Sequence, residues 1–155
     1  MNSKAKPNNQ TLASNKRAQQ KYERVECYET GIKLLGGEVK SIKASRASLD
    51  GAYVVIRGKE AFVISMTVPA WQPNNQLNKY EVDRPRKLLL NKKQLLELEQ
   101  YDQKKGFAII VFSLYNKKGL IKVEICVARN KTTRDKRQEI KKRDTDRDLR
   151  RSFKI

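Results

Sequence analysis

The sequence predicts a mainly β protein: a small closed barrel of six antiparallel strands, with two or three short helices and a flexible basic extension at either end. Three observations predict it. Apolar residues alternate with polar ones over short runs, the period-two pattern of strands with one buried face. Few residues separate most of these runs, which favours antiparallel over parallel pairing. Nearly all the long apolar runs fall between Val25 and Ala128, whereas both ends are polar and basic, so one core of modest size carries two arms. Closing the strands on themselves removes the exposed edges that an open sheet would present.

The first strand is Tyr28 to Leu35, where Tyr28, Thr30, Ile32 and Leu34 alternate with Glu29, Gly31 and Lys33. Gly36-Gly37 breaks it, and Glu38 to Ala44 follows as a short helix with a narrow apolar stripe of Val39 and Ile42. Ala52 to Arg57 and Glu60 to Val68 face each other across Gly58-Lys59, a two-residue loop whose leading glycine suits a type II′ hairpin. From Pro69 to Pro85 runs a long polar loop with Asn74, Asn75, Asn78, Tyr80 and the only tryptophan, Trp71. Trp71 is expected to pin the loop to the core in preference to stacking on a nucleobase. Arg86 to Leu90 is a short strand, after which Asn91 caps a helix reaching about Lys104, with Gln94 completing a capping box. The last hairpin is the clearest. Phe107 to Tyr115 is apolar on both faces, as in a strand covered on each side. Asn116-Lys117-Lys118-Gly119 turns it into Leu120 to Ala128, where Ile121, Val123, Ile125 and Val127 face one way and Lys122 and Glu124 the other. A barrel of the oligonucleotide-binding type fits this order, with 1–20 as an N-terminal arm, 21–129 as the barrel and 130–155 as a tail.

Charge points to the partner. The chain has 35 Lys+Arg against 17 Asp+Glu, a net +18 in 155 residues. Each phosphate neutralised by such a surface releases condensed counterions, so a polyanion, nucleic acid first, is expected. Met1 to Arg24 holds six Lys+Arg, one Glu and many Asn and Gln, and reads as unfolded until bound. The chain contains no histidine, which removes His triads, His metal ligands and the commonest general acid or base. Gly36-Gly37 lacks the Gly-Lys-Ser/Thr continuation of a phosphate-binding loop, and no paired cysteines suggest zinc, so no catalytic residue, metal or cofactor is expected. Cys27 and Cys126 are read as small buried hydrophobes in preference to a disulfide or a metal site, in keeping with a reducing cytoplasm. No stretch is apolar and long enough for a signal peptide or a membrane span, and no membrane partner is expected.

The tail is the most telling segment. From Arg129 onward there are twelve Lys+Arg against five Asp+Glu, and its apolar residues, Ile140, Leu149, Phe153 and Ile155, form no continuous stripe. Glu139 with Arg143 and Asp146 with Arg150 are spaced i+4, and Asp144 with Arg147 and Asp148 with Arg151 i+3, as in an exposed helix. Such pairs do not offset an ordering entropy of about 1–2 kcal/mol per residue, so the free tail is expected to be unfolded and to become helical against a charged wall.

Several blocks, in order, resemble the SsrA-binding protein family, also called small protein B: Asn15-Lys16-Arg17-Ala18, Glu29-Thr30-Gly31-Ile32, Gly37-Glu38-Val39-Lys40-Ser41, Arg86-Lys87-Leu88-Leu89-Leu90-Asn91, Ser113-Leu114-Tyr115, Lys122-Val123-Glu124-Ile125 and Asp135-Lys136-Arg137. The resemblance implies a barrel that binds the tRNA-like domain of bacterial transfer-messenger RNA, standing where an anticodon arm would be. The alanine-charged complex, carried by elongation factor Tu, enters the empty A site of a stalled ribosome for trans-translation, while the tail tests the vacant mRNA channel beyond the decoding centre. Family RNA-binding positions fall on Glu29, Leu89, Asn91 and Lys122, and the matched blocks add Lys16, Arg17, Lys40 and Lys87. Leu89 competes with a plain core reading, and Asn91 with its role as a cap. Glu29 either accepts hydrogen bonds from ribose or base groups or orients a neighbouring cation. On the tail, the resemblance implies ribosome contacts at Lys131, Arg134, Asp135, Lys136, Arg137, Lys141, Lys142 and Arg143. The chain departs from the family at Asn130-Lys131-Thr132, where Gly-Lys-Lys is common, and at Arg134, where His or another aromatic is frequent; a guanidinium plane also stacks. The competing readings are a general RNA-binding or ribosome-assembly protein on the same barrel and a small metal-dependent nuclease.

Overall fold

The computed structural model describes residues 10–72, 80–131 and 133–152. In chain order they form β1 (Gln10–Ser14), α1 (Lys16–Lys21), β2 (Tyr22–Ile32), α2 (Gly36–Lys43), β3 (Tyr53–Arg57), β4 (Glu60–Ile64), β5 (Arg86–Leu89), α3 (Lys92–Asp102), β6 (Phe107–Lys117), β7 (Leu120–Asn130) and α4 (Thr133–Ser152). All strand pairs are antiparallel, and the order β6-β3-β4-β5-β2-β7 closes on itself through β6–β7. The expected six-stranded ring is present. β1 is a seventh strand outside it, using the edge of β6 from Ser113 to Asn116, while β3 meets that same edge only at Tyr53–Ile110.

The ring encloses a core of Val54, Val63, Leu88, Val111, Leu114, Val123, Ile125 and Val127, completed by Leu98 of α3. α3 forms as its cap requires: Asn91 Oδ1 accepts from the Gln94 amide at 2.8 Å, and the Gln94 side chain accepts from the Asn91 amide at 3.3 Å. The helix is tied to the sheet by the Tyr28 hydroxyl, which donates to Glu97 at 2.9 Å.

β6 is covered on both faces, as its composition predicts, and the outer cover is α1. Ala18 packs on Ile110, Phe112, Cys126 and Ala128 in a second, smaller apolar cluster outside the barrel. This corrects the reading of Met1 to Arg24 as an unfolded arm for residues 10–24; residues 1–9 lie outside the described part. The anchor is polar and therefore carries no apolar signature. Asn15 is buried, accepts from the Ala18 amide, and donates to the carbonyls of Leu49 and Val111 at 2.9 Å each.

Other boundaries shift for identifiable reasons. β2 begins at Tyr22, not Tyr28, because its first half is held by pairing with β7 and by the surface ion pairs Glu23–Arg129 and Arg24–Glu124 rather than by burial. Gly36 and Gly37 start α2 instead of interrupting the chain, since Glu38 accepts from the Leu35 amide at 2.8 Å. The Gly58-Lys59 turn has φ of 58° and 64°, which makes it type I′ and not II′, and Lys118-Gly119 is a second turn with both φ positive.

Cys27 and Cys126 form a disulfide, contrary to the expectation of two thiols. They are exact partners across β2 and β7, a pairing that spacing alone cannot reveal. Cys126 is buried as expected, but Cys27 is exposed. Among the described residues, the one group of potential metal ligands is Cys27, Glu124 and Cys126, whose two sulfurs are bonded to each other.

The tail, expected to become helical against a charged wall, is described as a 20-residue helix, about 30 Å long. Its described side chains, Ile140 and Leu149 among them, are exposed, so packing does not hold the described part of this helix.

Candidate nucleic-acid interface

The outward-facing residues of β2, β7, β5 and β6 meet on one face of the barrel. Along the β2–β7 ladder three successive outward rungs are Cys27–Cys126, Glu29–Glu124 and Gly31–Lys122. Gly31 also pairs with Leu89 on β5, and Tyr115 of β6 pairs with Lys122. Four of the predicted RNA-binding residues, Glu29, Lys87, Leu89 and Lys122, therefore share this surface. Asn91 follows β5 after one residue, Leu90.

Leu89 is 59% exposed, so it is not a core residue. Gly31 lies beside it with no side chain: a Cβ there would come within 3.3 Å of Leu89 Cδ1. The glycine thus lets Leu89 lie across it while staying exposed, a surface suited to an apolar contact with a sugar or base. Lys87 reaches Glu60 at 3.0 Å, with both partners solvent-accessible. Asn91 spends its oxygen on the α3 cap and keeps an amide nitrogen to donate.

Glu29 has two partners that the sequence did not single out. Lys117 Nζ lies 3.0 Å from Oε1, and the Tyr115 hydroxyl donates to Oε2. Burial and the hydrogen bond to Glu29 push the Tyr115 phenol above its ordinary range, so it remains a donor throughout neutral pH. Glu124, directly opposite, is held by Arg24 at 2.6 Å. The guanidinium of Arg24 also lies 4.4 Å from the Phe112 ring.

The remaining predicted residues lie elsewhere. Lys16 and Arg17 are exposed on α1, and Lys40 is exposed on α2. Lys131, expected in the tail, ties the end of β7 to α1 instead: its amide donates to Lys21 O at 3.0 Å and its Nζ to Gln19 O at 2.8 Å. Arg134, Asp135 and Lys136 fall in the first turn of α4, and Arg137, Lys141, Lys142 and Arg143 are exposed farther along it.

The loop after β4 is held from below. Glu38 and Arg86 are both buried and pair at 2.6 Å, while Arg84, Tyr80 and the Leu35 amide also donate to Glu38. Arg86 further donates to the carbonyls of Met66 and Val82 at 2.7 and 2.9 Å. Burial alone would raise the Glu38 carboxyl, but the hydrogen bonds from Arg84, Leu35 and Arg86 outweigh it and hold it below the usual carboxylate range. This network fixes the start of β5, and hence Lys87 and Leu89. Trp71 is half-buried near α2 with Arg46 4.9 Å from its ring, and it is not among the side chains packed against the core. Asn74, Asn75 and Asn78 lie outside the described residues. None of the described helices is long and apolar enough to cross a membrane.

Comparison with known proteins places the chain among relatives of one kind. Residues 12–155 match the family described as SmpB protein. An SsrA-binding protein of Clostridium tetani is 42% identical over 94% of this chain and 93% of its own length. One from Ligilactobacillus salivarius is 38% identical over 97% of each. A solved structure described as "tmRNA-SmpB: a journey to the center of the bacterial ribosome" superimposes with a TM-score of 0.65 at 30% identity, covering 77% of this chain and 84% of that one.

Proposed function

The chain belongs to the SmpB protein family, and from that membership we propose that it binds the tRNA-like domain of transfer-messenger RNA and delivers it to stalled ribosomes for trans-translation. The observation that supports this reading most directly is the meeting of Glu29, Lys87, Leu89 and Lys122 on one face of a chain with net charge +18. Lys122 meets a phosphate, Leu89 packs on a sugar or base over Gly31, and the Asn91 amide donates to an RNA acceptor. A folded RNA suits such a face, because its shape and backbone carry recognition more than its base sequence. Lys16 and Arg17 on α1 and Lys40 on α2 extend the cationic field around it.

The tail helix is the second working part. Thr133–Ser152 carries nine Lys+Arg and five Asp+Glu. A helix with cations on several sides meets the phosphates of a channel walled by ribosomal RNA, and the interspersed carboxylates limit self-repulsion. Arg134, Asp135, Lys136, Arg137, Lys141, Lys142 and Arg143 are the proposed contacts, with Arg134 placing its guanidinium plane where relatives often have an aromatic residue. Elongation factor Tu is an indirect partner, through the alanine-charged RNA. The role is recruitment and decoding mimicry without catalysis, and its place is the cytoplasm, where messages are translated.

The test is the RNA that copurifies with the full chain after a high-salt wash. One dominant species charged with alanine is expected. A broad mixture of transcripts would instead identify a general RNA-binding protein.

A further inference from the structure

Glu29 is an unfavourable residue for an RNA-facing surface, because its charge repels phosphate. Two residues of β6 engage it from within the protein. Lys117 lies 3.0 Å from one carboxylate oxygen, and the Tyr115 hydroxyl donates to the other. Since β7 lies between β2 and β6, both side chains reach across that strand to meet Glu29. The carboxylate opposite, Glu124, takes Arg24 as its cation, which leaves Lys117 to Glu29.

Resting on the RNA-binding reading of this face, we propose that Lys117 is a phosphate-binding residue and that Glu29 acts through it as a positioning residue, with Tyr115 fixing the carboxylate. The ligand is the phosphodiester backbone of the folded RNA. An ammonium group has three donors, and Glu29 occupies one of them, so the others remain to meet phosphate oxygens. The Lys117 side chain is 42% exposed and that of Glu29 32%, and so open a pair is weak enough to orient the lysine without withdrawing it from a ligand. Lys117 pairs with Leu120, and Lys122 stands two residues on along β7, so the two lysines are diagonal neighbours about 7–8 Å apart and offer two cations to one run of backbone. Glu29 therefore has the second of its two expected roles, orienting a cation rather than accepting from RNA.

The experiment measures the affinity of the full chain for the isolated tRNA-like domain as a function of salt. Lys117→Ala is expected to weaken binding and to reduce the slope of log affinity against log salt by about 0.7–0.9, the signature of one lost phosphate contact. Lys117→Arg retains the slope, and Lys117→Gln, which keeps most of the stem and loses the charge, replaces the alanine variant should alanine lower the melting midpoint. Glu29→Gln weakens binding in the native background but adds nothing in the Lys117→Ala background, because both act through one contact. An unchanged slope in Lys117→Ala, or an equal loss from Glu29→Gln in both backgrounds, overturns the inference. Failure of the unaltered chain to bind this RNA would overturn the functional reading itself, a separable result.

Discussion

Replacing Glu38 by Gln removes the carboxylate that faces Arg86 in the interior. The two side chains are 1% and 0% exposed and pair at 2.6 Å. Breaking one partner of a buried pair costs about 3–5 kcal/mol, since it strands the other charge. Arg86 keeps its bonds to the carbonyls of Met66, Arg84 and Val82, which puts the expected loss at the lower end, about 3 kcal/mol. For a chain of this size each kcal/mol lowers the melting midpoint by about 2–4 °C, so a fall of about 6–12 °C is expected. Urea titration followed by circular dichroism is the matching assay, with a lower midpoint concentration and an unchanged slope. The pH dependence has a fixed sign. Glu38 titrates below the ordinary carboxylate value of 4.5 when folded, so its contribution is complete above that value and is lost as the pH falls through the folded one. The difference between native and Glu38→Gln chains should accordingly be constant near neutrality and shrink in acid. A loss under about 1 kcal/mol at neutral pH, the size typical of an exposed pair, would refute the argument that this network anchors β5.

Gly31→Ala is expected to cost little stability, because the neighbour it crowds at 3.3 Å is the end of a flexible leucine, yet to weaken RNA binding by displacing Leu89; equal affinity for both chains would remove Leu89 from the interface. Arg134→Ala is expected to impair peptide tagging on stalled ribosomes while leaving affinity for the isolated RNA nearly unchanged, and equal loss in both assays would count against a tail-specific role.

The barrel was legible in the sequence because its inner face is made of alternating apolar residues, as in Ile121, Val123, Ile125 and Val127, and because a few residues join most strands. The capping box of Asn91 and Gln94 formed as read for an equally local reason. What escaped notice was held by polar or long-range contacts. β1 buries essentially Leu12 and depends on Asn15, whose partners at Leu49 and Val111 are 34 and 96 residues away. The Cys27–Cys126 bond needs the β2–β7 register, across a separation of 99 residues. In the candidate site, Glu29, Leu89 and Lys122 were found through family-like blocks. Tyr115 stood in one of those blocks without an assigned role, and Lys117 was read only as part of a turn. Their link to Glu29 spans 86 and 88 residues and appears only once β6 is laid two strands from β2.

The most direct measurement compares the full chain with one ending at Asn130, assayed in parallel for binding to the tRNA-like domain and for peptide tagging on stalled ribosomes. The described side chains of α4 are exposed, so its removal should leave the melting midpoint within the effect of about 0.5 kcal/mol typical of surface changes, and the truncated chain should bind the RNA as before. It should tag nothing. Tagging at the full-length rate by the truncated chain would contradict the division of labour between a barrel that grips RNA and a helix that works in the ribosome.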